Sequence, residues 1–132
     1  MLPAAAEIRH IGATAVPGCL TKGDLDIVIR VAAEDFRQTE AVLASRFARN
    51  SGSVRTDTFS AFEDKSRAPD LGVQLTVIGG PFDVFHRFVE ALLLSPRLVE
   101  DYNALKRAHD NGDMAVYRAA KDAFIARVLS TG

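Results

Sequence analysis

Residues 24–31 alternate strictly between two faces, with Leu25, Ile27, Ile29 and Val31 on one and Asp24, Asp26, Val28 and Arg30 on the other. A period of two predicts a strand. A shorter β-leaning stretch, 8–11, precedes it and runs into Gly12. Residues 12–23 hold three glycines and Pro17, which predicts a loop with at most one helical turn. From residue 34 the period lengthens. Phe36, Leu43 and Phe47 share a helical stripe over 34–47, Glu40 and Arg46 lie off it, and Asn50-Ser51-Gly52-Ser53 ends it. Residues 54–62 predict a strand, 63–70 a charged connection through Pro69, and 73–78 a second strong strand closed by Gly79-Gly80-Pro81.

Beyond Pro81 the pattern stays helical. Phe82, Phe85, Phe88, Val89 and Leu92 recur at three- and four-residue steps. Ser95-Pro96 offers an N-cap and a first helical residue for the next stripe, Leu98, Tyr102 and Leu105. Asn111-Gly112-Asp113 breaks that helix, and Tyr117, Ala120, Phe124 and Val128 carry the last one. The expected architecture is a single α/β (α+β) domain over 1–132, a small mixed sheet followed and buried by three C-terminal helices.

Composition narrows the partners. The 132 residues are 48% hydrophobic and 25% charged, enough apolar material for a core without staples. A formal charge of −1 predicts no general nucleic-acid binding, which needs a basic face. Cys19 is the only cysteine, so neither a disulfide framework nor a cysteine zinc site is available. The start lacks the basic and apolar regions of a secretory signal, and no apolar run approaches the ~20 residues that span a bilayer. A cytoplasmic, membrane-free location is the expectation.

Period two puts Asp24 and Asp26 on one face, about 6.5–7 Å apart along the backbone. Carboxylates that close raise each other's pKa unless a cation lies between them. Mg²⁺ suits such a pair, because it takes hard oxygen ligands and shares its shell with phosphates. The bland alternative is two solvated acids at a strand entrance. Gly12-Ala13-Thr14 lies far enough upstream to fold back over the strand and offer backbone N–H groups to phosphate. It is not a Walker loop. Gly12 and Gly18 are separated by five residues, and Cys19-Leu20 stands where Lys-Ser/Thr is required.

The run His10-Ile11-Gly12-Ala13-Thr14-Ala15-Val16-Pro17-Gly18, then Lys22 and Asp26-Ile27, resembles the signature of the GrpB family within the nucleotidyltransferase superfamily. The Phe-rich helix, Ser95-Pro96, Tyr102-x-x-x-Lys106 and Tyr117-x-x-x-Lys121-x-x-Phe124-Ile125 agree in order, so the resemblance runs from about Ile8 to Leu129. It implies a nucleotidyltransferase-like fold in which a Gly-Ser loop binds a nucleoside triphosphate and acidic strand residues bind metal. Gly12 and Ala13 then stand at the Gly-Ser pair, with Thr14 as the neighbouring hydroxyl. Asp24 and Asp26 become catalytic metal ligands, and Lys22 neutralises phosphate charge. A third carboxylate is customary on a later strand, but 73–77 offers only Gln74 and Thr76 at the relevant positions. Glu63 and Asp70 are the nearest other acids, and both are expected to stay out of the site. Family members carry a helix ahead of the His-Ile-Gly strand, and this chain starts almost at that strand. The cleft is therefore expected to be reduced or completed by a partner, a second copy included.

Other residues carry two readings each. His10 either contacts phosphate or base, or simply hydrogen-bonds within its strand end, the reading favoured here. Lys106 and Lys121 follow tyrosines at i, i+4 spacing, either as solvated ammoniums above buried rings or as cations aimed at phosphates. His86 reads as a helix-surface or boundary residue and His109 as a helix C-terminal one. Three functions remain open: Mg²⁺-dependent nucleotidyl transfer to an unknown acceptor, a nucleotide-binding module without turnover, and a structural partner domain.

Overall fold

The computed structural model describes residues 2–3, 5–51 and 53–130. Five strands and four α-helices follow one another: β1 (Glu7–Ile11), β2 (Leu25–Val31), α1 (Phe36–Ala44), β3 (Ala48–Arg49), β4 (Phe59–Asp64), β5 (Leu71–Val77), α2 (Phe85–Leu94), α3 (Pro96–Ala108) and α4 (Met114–Ser130). The sheet order is β1-β2-β5-β4-β3. Only β2 and β5 run parallel; every other neighbour is antiparallel. The mixed sheet and its C-terminal helices are as the sequence predicts.

Alternation along β2 feeds two cores. Ile29 and Val31 pack with Phe36 and Leu43 of α1 and with Val73, Leu75 and Val77 of β5. On the opposite face, Val28 packs with Phe88, Val89, Tyr102, Phe124 and Val128 from the three C-terminal helices. The aromatic centre of that layer is directional: Phe88 meets Tyr102 and Phe124 edge-on, while Tyr102 and Phe124 stack with centroids 5.7 Å apart. Asp26 of β2 therefore shares a face with the helical layer. Ser95 caps α3 as expected, its hydroxyl accepting from Leu98 N–H at 3.3 Å with Pro96 at the first position. Among the described residues, no helix is long and apolar enough to cross a membrane.

Several boundaries differ from the pattern reading. Residues 54–58 are not strand, and β4 instead extends through Glu63 and Asp64. Thr58 N–H donates to Thr56 Oγ1 at 3.1 Å and Thr56 N–H to Phe59 O at 2.9 Å, so local bonds turn the chain there. The helix expected over 34–47 is shortened to α1 behind a 3₁₀ turn at Ala33–Asp35, and β3 follows it. Phe82 sits in a turn ahead of α2, because Asp83 N–H donates to Gly80 O and Val84 N–H to Phe82 O. Glu40, read as off the buried stripe, is largely covered. It accepts from Ser60 Oγ and lies 3.3 Å from both Arg49 and Arg55.

Candidate functional site

Register decides what surrounds Asp26. It pairs with Ile11 at the end of β1 and with Gly72 in β5. The chain leaves β1 through Gly12, whose φ of 75° is a left-handed conformation that glycine adopts without strain. A Cβ at Gly12 would lie 2.7 Å from Asp26 Oδ2, and one at Gly72 would collide with Asp26 Oδ1. Both carboxylate oxygens thus occupy space that two glycines leave open. Gly23, immediately before Asp24, has a φ of 91° but nothing within 4 Å of its Cβ position, so it shapes the loop and not the carboxylate's surroundings.

Beyond Gly12 the loop does fold back over the strand, with one 3₁₀ turn at Ala13–Ala15. Thr14 Oγ1 donates to Asp24 O at 3.2 Å and lies 2.8 Å from His10 Nε2. His10 is therefore bonded to the loop beside the acids. The far end of the loop is held by α3. Leu20 N–H donates to Asn103 Oδ1 at 2.8 Å, and Asn103 Nδ2 donates to Gly18 O at 2.9 Å. Lys106 Nζ donates to Leu20 O, approaches Cys19 Sγ at 3.4 Å and sits 4.1 Å above the Tyr102 ring.

A cleft of about 580 Å³ opens between this loop and helices α3 and α4. Gly12, Ala13, Lys22, Asp24, Asp26, Lys106 and Lys121 all line it. His10 and Thr14 stand at its edge, linked to it through Asp24 O. Acids and cations influence one another there. Burial, reinforced by Asp24, raises the Asp26 pKa, against the opposing pull of Lys121 and His10. Burial and then Lys106 lower the Lys121 pKa, while Asp26 opposes that shift. Burial, then Tyr117, raises the Tyr102 hydroxyl.

Among the described residues, no group of three or more His, Cys, Asp or Glu side chains is arranged to hold a metal. Glu63 does share a transverse row with Asp26, since both pair with Gly72, but it lies two strand spacings away, about 9.5 Å. Its carboxylate lies 3.9 Å from Lys65 Nζ. Asp70 is exposed, and its backbone carbonyl accepts from Leu25 N–H at 2.9 Å.

Two features of the site escaped the pattern reading. Gly72 falls between the expected 63–70 connection and the expected 73–78 strand, although a lone glycine entering a β run is a signal for close approach. Asn103 sits beside Tyr102 on the buried stripe of α3, and a polar residue on an apolar stripe marks a built hydrogen bond. Replacing Gly72 by Ala is expected to push the Asp26 carboxylate out of position. Stability should change by no more than about 2 kcal/mol because better strand propensity offsets part of the crowding. Urea titrations check this.

The GrpB protein family matches residues 1–131 of the chain. A UPF0157 protein of Vibrio cholerae serotype O1 is 35% identical over 125 residues, which are 94% of this chain and 66% of that protein, so the chain spans just under two thirds of this relative. The crystal structure of the conserved protein GrpB from Enterococcus faecalis superposes with a TM-score of 0.68 at 19% identity, covering 92% of this chain and 76% of that one. This second likeness is one of fold.

Proposed function

The chain belongs to the GrpB family, and on that premise we propose that its cleft binds a nucleoside triphosphate with Mg²⁺ and transfers the nucleoside monophosphate to an acceptor. The observation that carries this reading is the Asp26 carboxylate, held between two glycines beside Asp24 and facing a cleft that three lysines line. Such an arrangement is costly without a ligand, since burial and Asp24 both work against the charged form of Asp26.

The donor set fits a shared ion and not a protein-caged one. Two carboxylates supply part of an octahedral shell, and Mg²⁺ ordinarily completes its shell with waters and phosphate oxygens. Asp24 and Asp26 would hold it, and when bound it supplies positive charge opposite the developing charge on the phosphates. Lys22, Lys106 and Lys121 neutralise the phosphate tail, and the N–H groups after Gly12 offer uncharged donors to it. In the transfer, the acceptor oxygen bonds to the α-phosphorus and the bond from that phosphorus to the bridging oxygen breaks. Pyrophosphate leaves with the electron pair, and the acceptor's proton goes to cleft water.

A second reading is a binding module without turnover. Ala13 in place of a serine hydroxyl, and the two-strand gap to Glu63, both favour it. Calorimetric titration of ATP, GTP, CTP and UTP with and without Mg²⁺, alongside pyrophosphate release, separates the two. Mg²⁺-dependent binding with release supports transfer. Binding with no release supports the module, and no binding overturns both.

A further inference from the structure

Behind Asp26 the cleft continues into a smaller cavity of about 120 Å³ between the sheet and helices α2 and α4. Cleft and cavity share Gly12, Asp26, Tyr102 and Lys121, so the carboxylate stands at the junction of the two. The inner walls are apolar, formed by Phe85, Val89, Leu92 and Ile125 among others. One polar group breaks that lining. Gln74 Oε1, from β5, is buried with no hydrogen-bond partner among the described residues. A buried orphan of this kind is destabilising, and a partner in the cavity would relieve it.

We infer that this cavity is the acceptor subsite and that it takes a compact aliphatic alcohol group, with the hydroxyl between Gln74 and Asp26. The assignment rests on the nucleotidyl-transfer reading of the adjoining cleft. Size sets the first limit: a dry apolar cavity of about 150 Å³ accommodates benzene, so this one takes about five heavy atoms. Polarity sets the second. Gln74 Oε1 accepts, which requires a donor on the ligand, and a hydroxyl gives its one proton to it. Charge sets the third, because the apolar walls disfavour a protonated amine and tolerate a neutral hydroxyl. An alcohol seated there would present its oxygen beside Asp26, at the junction of cavity and cleft.

The test begins with the nucleotide-free, metal-free protein, so that failure of the subsite is distinct from failure of nucleotide binding. Methyl resonances of Ile11, Val89, Leu92 and Ile125 are followed while 1-butanol is titrated, then its isomer methyl propyl ether, which lacks a donor, then n-butylamine. Saturable shifts with 1-butanol, about tenfold weaker for the ether and for the amine, are expected. Leu92→Phe, which fills the cavity, should remove them, and Gln74→Leu should erase the preference for alcohol over ether in a pocket that stays open. Equal binding of alcohol and ether, tighter binding of the amine, or no saturable shift overturns the assignment. With ATP and Mg²⁺ added, a butyl ester of the nucleoside monophosphate should appear by mass spectrometry. Alcohol binding without that ester, in protein that demonstrably binds Mg²⁺–ATP, overturns the acceptor role.

Discussion

Asp26→Asn is expected to abolish Mg²⁺-dependent nucleotide binding while leaving the fold at least as stable as wild type. Loss of an outer-shell partner of a metal ligand typically costs 10–100-fold, so loss of the ligand itself should exceed about 100-fold. The stability half follows from the sign of the pKa shift. Burial, with Asp24, raises the Asp26 pKa in the folded protein. A carboxyl with a raised folded pKa weakens the fold as pH climbs through that pKa, because the charged form is then imposed on a site that disfavours it. Asparagine removes that penalty at neutral pH and keeps the shape. Binding by calorimetry and thermal unfolding of the same preparations check both halves. Normal binding by the variant would remove Asp26 from the metal site, and unfolding well below wild type would assign it a structural role.

The largest stability effect is expected at Asp83. Arg30, on the same face of β2 as Asp26, makes a bidentate pair with it at 2.7 Å for both bonds. Gly79 N–H donates to the same carboxylate at 2.9 Å, and His86 Nδ1 lies 3.5 Å away. Side-chain exposure is 12% for Arg30 and 5% for Asp83, so the pair is nearly dry. Asp83→Ala strands a buried guanidinium whose remaining partner is Glu7, 3.1 Å away and partly solvated. Breaking a buried pair this way costs about 3–5 kcal/mol, and Glu7 argues for the lower figure. The apparent melting temperature should drop by about 10 °C or more. Burial alone would raise the Asp83 carboxyl, but bonds from Arg30 and Gly79 outweigh it and hold the pKa below the ordinary value. The stabilisation is then complete above the unfolded carboxyl pKa, about 3.9, and is lost as pH falls through the folded one. Urea titrations should show the gap between wild type and variant narrowing below about pH 4.

These expectations draw on features that were unevenly legible in the chain. The two faces of β2 were plain, because alternation is a local property of adjacent residues. Ser95-Pro96 was equally plain, since a cap and its helix lie together in sequence. What surrounds Asp26 was not. Gly12 and Gly72 flank it only through the pairing of β2 with β1 and β5, and register is a tertiary fact that no local period encodes. Arg30 and Asp83 are likewise separated by 53 residues and meet only after α2 docks on the sheet. Residues 54–58 misled for the opposite reason. Their β-branched composition suits a strand, but Thr56 uses its own hydroxyl to turn the backbone. The family signature carried the placement of Asp24, Asp26 and the loop. It was silent on the cavity behind them, which Gln74 and the C-terminal helices build together.

The central claim is that Asp24 and Asp26 bind a divalent ion jointly with nucleotide phosphates. Mn²⁺ in place of Mg²⁺ reads this directly by electron paramagnetic resonance. Wild type should hold Mn²⁺ weakly alone and tightly once a non-hydrolysable ATP analogue is added, because two carboxylates leave most of the shell for phosphate and water. Asp24→Asn/Asp26→Asn should lose the ternary complex. Equal retention of Mn²⁺ and analogue by wild type and the double variant would contradict the claim.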